Sequence, residues 1–251
     1  MTVLLRLDGG AVRVLLRLDG EAARDPGRLG GVDLVLGPGE VMGLAGRNGA
    51  GKTTLGRLIA RLDPLGAGRI ALSGSEIGQI APADFARHPL RPAVQMVLAD
   101  AGPSLPPGQS IARTLKETRA RLGAAGTAAD AMAVAGFDPA LAGRRPGALS
   151  QGQAVRAALA RALIACPRVL ILDECFAALD ASARAEVVVA LLRWRAETGA
   201  ALIVIGHDMG LMRLMCGRVA ILEGGRIVEE GAAAAVLGAP RHPATRALCG
   251  G

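Results

Sequence analysis

The chain has 251 residues, 51% of them apolar and 2% aromatic, with 29 Lys and Arg against 22 Asp and Glu for a formal net charge of +7. That length suits one or two domains with a sizeable core, and the apolar content excludes a disordered chain. No uncharged apolar run of about 18 residues is present to span a bilayer, and the acidic Asp8 with no long apolar stretch around it speaks against a signal peptide.

Residues 3–9 and 14–20 repeat Val-Leu-Leu-Arg-Leu-Asp-Gly. Each copy predicts a short strand closed by an Asp-Gly turn, together an antiparallel hairpin. Gly37-Pro38-Gly39-Glu40 predicts a turn, Val41–Ala45 a buried strand, and the spacing of Leu55, Leu58, Ile59 and Leu62 a helix after a glycine-rich loop. A strand over 93–98 is followed by a boundary in a stretch rich in proline. Residues 109–145 carry helical periodicity and predict a small helical subdomain. The apolar runs 169–172 and 201–205, separated by helical patterns over 154–165 and 181–197, predict a parallel α/β sheet. Strands over 218–222 and 226–228 flank a Gly-Gly turn, and a short helix with a tail is expected from Gly231 onward.

Gly46-Arg47-Asn48-Gly49-Ala50-Gly51-Lys52-Thr53 is a complete G-x-x-x-x-G-K-T between a predicted strand and a predicted helix. Glycines let successive backbone N–H groups turn toward phosphate oxygens, and the following helix adds its positive end. Lys52 is suited to the terminal phosphates and the Thr53 hydroxyl to Mg²⁺. Only Lys52 and Lys116 are lysines among many arginines, so a lysine here is informative. The basic excess is scattered, with no dense Lys/Arg run, and nucleic acid is not an expected partner.

Asp173 and Glu174 end an apolar strand 121 residues after Lys52, where Asp173 can hold Mg²⁺ and Glu174 can polarise water. Leu149-Ser150-Gln151-Gly152-Gln153 precedes a long helix and offers a hydroxyl and backbone N–H groups to an anion, or simply a helix cap. His207 follows a strand end, where a doubly wound sheet gathers ligand groups, whereas His88 and His242 have no such context. Cys166, Cys175, Cys216 and Cys249 are scattered, which fits a reducing compartment better than a disulfide framework or a metal site.

These segments, in this order and spacing, resemble the ATP-binding subunits of ABC transporters over nearly the whole chain. Gly46–Thr53 with Thr54 looks like the phosphate loop, 149–153 like the LSGGQ signature, and 169–174 like the Walker B strand. Ala178-Leu179-Asp180 looks like the D-loop and 205–208 like the switch histidine segment. Val94-Gln95-Met96-Val97, Ser104-Leu105 and the tail Pro240–Leu248 resemble peptide- and nickel-import ATPases, especially the second ATPase of such systems.

The resemblance implies an α/β P-loop NTPase with a RecA-like parallel core, an N-terminal antiparallel β subdomain and an inserted helical subdomain. The expected division is a core over 1–98 and 160–230, a helical part over 99–159 and a tail over 231–251. It implies ATP and Mg²⁺ as ligands, with Glu174, His207 and Lys52 in the catalytic roles and Thr53 and Asp173 on the metal. Nucleotide contacts would come from 46–54 of one chain and from Ser150, Gln151, Gly152, Gln153 and Asp180 of the facing one. Expected partners are two transmembrane permeases, a second ATPase subunit and an extracytoplasmic substrate-binding protein, with the chain peripheral on the cytoplasmic face of the inner membrane. An alternative is a soluble ATPase of an enzyme complex such as the phosphonate carbon–phosphorus lyase accessory type. A DNA-repair ATPase is disfavoured, because no long coiled-coil insertion separates the two halves.

Three positions depart from the family pattern. Ala99 stands where the family has its Q-loop glutamine, with Asp100 beside it; Gln151 replaces the first signature glycine; and no aromatic precedes Phe85 to stack on adenine. The departures suggest one half of a heterodimer with unequal sites.

Overall fold

The computed structural model describes residues 14–18, 29–30 and 32–250. In chain order these form β1 (Val14–Leu18), β2 (Val32–Leu36), β3 (Val41–Ala45), α1 (Lys52–Ile59), β4 (Arg69–Leu72), β5 (Ser75–Glu76), α2 (Pro82–Phe85) and β6 (Val94–Val97). They continue with α3 (Ile111–Leu122), α4 (Ala128–Ala135), α5 (Gln151–Leu163), β7 (Val169–Asp173), α6 (Ala181–Thr198), β8 (Ala201–Gly206) and α7 (Met209–Met215). The last are β9 (Arg218–Glu223), β10 (Arg226–Ala232), α8 (Ala233–Gly238) and α9 (Pro243–Cys249).

One sheet has the order β2-β1-β4-β5 and is antiparallel. The other has the order β10-β9-β3-β8-β7-β6; β9, β3, β8, β7 and β6 run parallel, with β10 antiparallel at the edge. This is the expected parallel α/β core with an antiparallel β subdomain. The first copy of the repeat and its hairpin partnership lie outside the described residues, whereas the second copy supplies β1, which pairs with β2 and β4.

β3, β7 and β8 are buried along their whole length. Apolar layers cover both faces of the sheet, so these strands read as continuous apolar runs. Alternate residues serve opposite layers: Leu170 and Leu172 pack with the helices α3 to α6, while Val169 and Ile171 pack with α1 and the β subdomain. Full burial of each such side chain contributes about 2 kcal/mol. α1 lies tight on β8, since a Cβ on Gly56 would stand 2.8 Å from Ile205 Cδ1.

The helical layer follows its capping residues. Ser110 and Thr127 accept backbone N–H bonds at the starts of α3 and α4, and Gly123 and Gly136, both at positive φ, end them. The small buried residues Ala157, Ala158, Ala160 and Ala162 let α5 approach β6 and the neighbouring helices closely.

Two expectations fall short. β10 runs to Ala232 rather than Val228: its polar stretch Glu229–Gly231 carries no hydropathy signal, yet it pairs with β9 after a register shift between Ile227 and Glu229. The tail holds two helices rather than one, because Ala239–His242 breaks the chain before Pro243 restarts it.

Candidate functional site

Parallel register gathers the site. Ala45 lies opposite Gly206, and Asp173 opposite Ile205. Gly46, Asp173-Glu174 and His207 therefore emerge together at the C-terminal edge of β3, β7 and β8, where open α/β sheets bind ligands.

The loop after β3 is fixed by close approach. A Cβ on Gly46 would lie 2.3 Å from the Leu222 carbonyl oxygen, and one on Gly51, at φ 101°, 2.9 Å from Leu29 Cδ2. Ala50 N–H bonds the Arg47 carbonyl, and the Ala50 carbonyl accepts from Gly225 N–H. Lys52 Nζ donates to the carbonyls of Gly46 (2.8 Å) and Arg47 (3.0 Å), so the loop curls around its own ammonium. Burial lowers the Lys52 pKa, and the charges of Glu174 and Asp173 oppose that shift. Arg47, Asn48, Gly49 and Thr53 are exposed at the mouth, and Thr54 is half-buried in α1.

Asp173 is 4% exposed, and its Oδ1 has no hydrogen-bond partner. Burial raises its pKa, while the nearby Thr53 hydroxyl and Lys52 favour the carboxylate. An orphaned buried oxygen beside a hydroxyl is a donor set of the type Mg²⁺ takes. Glu174 sits in the left-handed region (φ 49°, ψ 15°), unusual for a residue with a Cβ, and its N–H bonds the Ile205 carbonyl. That conformation aims its carboxylate at His207, with Oε1 3.4 Å from Nδ1. His207 is exposed and Glu174 half-buried.

Ser150 caps α5 with a capping box: its hydroxyl accepts from Gln153 N–H, and Gln153 Oε1 accepts from Ser150 N–H. Gln151 is exposed in the first turn. A Cβ on Gly152 would stand 3.1 Å from the Ala178 carbonyl oxygen, which joins this segment to residues 178–180. Hydrogen bonds at Leu149–Gln153 stay within the helical layer, and among the described residues none reaches 46–54. Asp180 caps α6 through Ala183 N–H.

Arg184 was not singled out by the sequence. Its guanidinium donates to the Leu179 carbonyl and to Asp208 Oδ2 (3.2 Å), tying the 178–180 turn to the segment carrying His207. One turn after Asp180 in α6, it carries no sequence signal that separates it from a solvated arginine.

Ala99 is exposed, and Asp100 Oδ1 accepts from Gly102 N–H within its own loop. Gln95 is buried and donates to the Arg91 carbonyl, so it braces the turn before β6. His88 stacks on Phe85, and His242 caps α9. The four cysteines are free thiols, with Cys175 and Cys216 buried and each pushed up to about 12 by burial.

A cleft of about 330 Å³ opens between Arg47–Ala50, the β9–β10 turn at Leu222–Gly224, and Ala244 and Leu248 of α9. A larger cavity of about 630 Å³ lies between β10, α8 and the start of α9 and contains none of the candidate phosphate-, metal- or water-activating residues, although His242 lines it.

A family model described as "ABC transporter" matches residues 29–177. A protein of Brucella abortus (strain 2308) named "Putative peptide import ATP-binding protein" is 37% identical over 229 residues, 86% of this chain and 66% of its own length. The glutathione import ATP-binding protein GsiA of Salmonella paratyphi A is 37% identical over 219 residues, 85% of this chain and 35% of its own length. The chain thus spans just under two thirds of one relative and about a third of the other. A solved ATP-binding cassette dimer in a post-hydrolysis state, bound to ADP and Pi, superposes with a TM-score of 0.78 at 22% identity, covering 88% of this chain and 98% of that one. Structure cbiO1 from Clostridium perfringens, part of the ABC transporter complex cbiONQ, gives 0.71 at 25% identity and 90% of each chain.

Proposed function

This chain belongs to the ABC transporter family, and from that premise we propose that it is the ATP-binding and ATP-hydrolysing subunit of a peptide/nickel-type importer. The observation that carries the reading is the convergence of Lys52, Thr53, Asp173, Glu174 and His207 on one sheet edge. Relatives named for peptide and glutathione import support the substrate class.

In this reading Lys52 releases the Gly46 and Arg47 carbonyls and takes the terminal phosphates, whose oxygens accept backbone N–H bonds from 49–53. Glu174 accepts a proton from the attacking water as its oxygen bonds the γ-phosphorus and the bond from that phosphorus to the β,γ-bridging oxygen breaks, releasing ADP and phosphate; His207 orients Glu174 and contacts the γ-phosphate. Thr53 and Asp173 hold Mg²⁺, which neutralises phosphate charge when bound.

Ser150, Gln151, Gly152, Gln153 and Asp180 belong to the second half-site: they complete a nucleotide bound to the facing ATPase. ATP favours the closed pair because it contacts both chains, and hydrolysis removes that preference. Closure drives two permeases fed by an external binding protein, with the chain peripheral on the cytoplasmic face of the membrane. Ala99 and Gln151 make the facing ATPase a different chain with an unequal site.

The test is nucleotide binding with Mg²⁺ and turnover in the assembled complex. The chain binds ATP, Lys52→Ala lowers affinity at least about tenfold, and turnover needs the second ATPase. A chain with no affinity for ATP overturns the reading.

A further inference from the structure

Among the described residues, three arginines without an acidic partner lie on segments that meet at the N-terminal edge of β6 and β7, opposite the edge that carries the phosphate loop. Arg91 lies in the turn before β6, Arg121 in the last turn of α3 and Arg161 in the last turn of α5. Backbone contacts bring the three segments together. Arg168 and Val169 N–H both bond the Ala93 carbonyl at 2.9 Å, which seats the 91–93 turn against the chain leaving α5. Just past α3, Gly126 packs so closely that a Cβ there would stand 2.5 Å from the Ile164 carbonyl oxygen.

Arg91 and Arg161 are half-buried, and Arg121 is exposed. Arg91 spends one nitrogen on the Val94 carbonyl at 2.7 Å, and Arg161 Nε is buried with no partner. Among the described residues none of the three joins an ion pair. Burial first, then the charges of Arg91 and Arg121, pulls Arg161 down to about 10; burial and Arg121 lower Arg91 as well. Helix-end dipoles favour cations at Arg121 and Arg161, but they do not account for Arg91 or the orphaned Nε. Partly desolvated like charges are costly unless a counter-charge sits among them.

We infer that this arginine cluster binds a phosphate-type oxyanion, held by Arg91 and Arg161 with Arg121 on its exposed side. Planar guanidinium forks suit an oxyanion presenting several oxygens at once. Free phosphate and the phosphate of an anionic lipid headgroup share that chemistry.

The experiment measures the unfolding temperature of the full chain against inorganic phosphate at constant ionic strength, for wild type, Lys52→Ala, Arg91→Gln and Arg161→Gln. Wild type and Lys52→Ala rise with phosphate. The two arginine variants need about tenfold more phosphate for the same rise. Without phosphate Arg161→Gln unfolds no lower than wild type, because it removes repulsion, so a damaged fold cannot pass for a lost site. Co-sedimentation with phosphatidylglycerol vesicles that Arg121→Glu and Arg161→Gln abolish assigns the lipid headgroup, and a phosphate response without vesicle binding assigns the free ion. Equal phosphate responses in wild type and Arg161→Gln, or a response that vanishes in Lys52→Ala, overturn the site.

Discussion

Glu174 Oε1 and His207 Nδ1 face each other at 3.4 Å across the ends of two adjacent parallel strands. Glu174 makes this contact from a left-handed backbone, φ 49° and ψ 15°. Position and strain are separable. Glu174→Gln keeps the backbone and is expected to lower turnover at least about 100-fold while leaving ATP binding intact. Glu174→Gly is equally inactive but relieves about 1 kcal/mol of strain and unfolds at higher denaturant. A Gly variant less stable than the Gln variant would remove the strain assignment.

Asp173 has a raised pKa, first because it is buried. A carboxyl whose folded pKa exceeds its unfolded one leaves stability unaffected below the unfolded value and costs stability as pH rises through the folded value. Asp173→Asn is therefore expected to unfold at higher temperature than wild type at pH 7 without nucleotide. The gap closes as pH falls toward about 4, the ordinary carboxyl range. Thermal scans in metal-free buffer check this, and added Mg²⁺ with ATP reverses the order.

Ser150 holds α5 through both bonds of its capping box. Ser150→Ala is expected to cost about 1 kcal/mol in urea unfolding. Gly152→Ala places a methyl against the Ala178 carbonyl, so it displaces the 178–180 turn and lowers turnover of the complex more than it lowers stability. The two variants should rank oppositely in the two assays.

Ala99 offers no carbonyl oxygen, and Asp100 is engaged within its own loop. Ala99→Gln is expected to raise ATP turnover of the assembled complex severalfold. An unchanged rate would show that another group already fills that role.

Glu229 holds the start of α9, accepting from Arg241 N–H (3.0 Å), His242 N–H (2.9 Å) and the Thr245 hydroxyl. Those bonds, the Thr245 hydroxyl first, hold its pKa below the usual range despite some burial. A depressed carboxyl pKa contributes stability above the unfolded value and loses it as pH falls through the folded one. Docking of α9 should thus loosen only in acid. Glu229→Ala should loosen it at pH 7, read as faster limited proteolysis between α8 and α9.

Elements whose apolar runs are uninterrupted, such as residues 169–172 and Ala201–Gly206, were legible because burial on both sheet faces leaves no polar position in them. The residues of the phosphate loop were legible because close backbone approach tolerates few side chains. Arg184 and Glu229 were not, since a lone charge on a helix or edge strand looks solvated until a distant segment supplies its partner. The end of β10 was hidden for a related reason: backbone pairing with β9, rather than side-chain burial, holds Glu229–Gly231 in the sheet.

Leu248 of α9 lines the cleft at the tip of the phosphate loop, and the next residue, Cys249, is a partly exposed free thiol. A fluorophore on Cys249, with the exposed Cys166 changed to Ser, would sit beside Arg47–Gly49 and change brightness as that loop fills and empties. α9 thus supplies a ready optical gauge of occupancy.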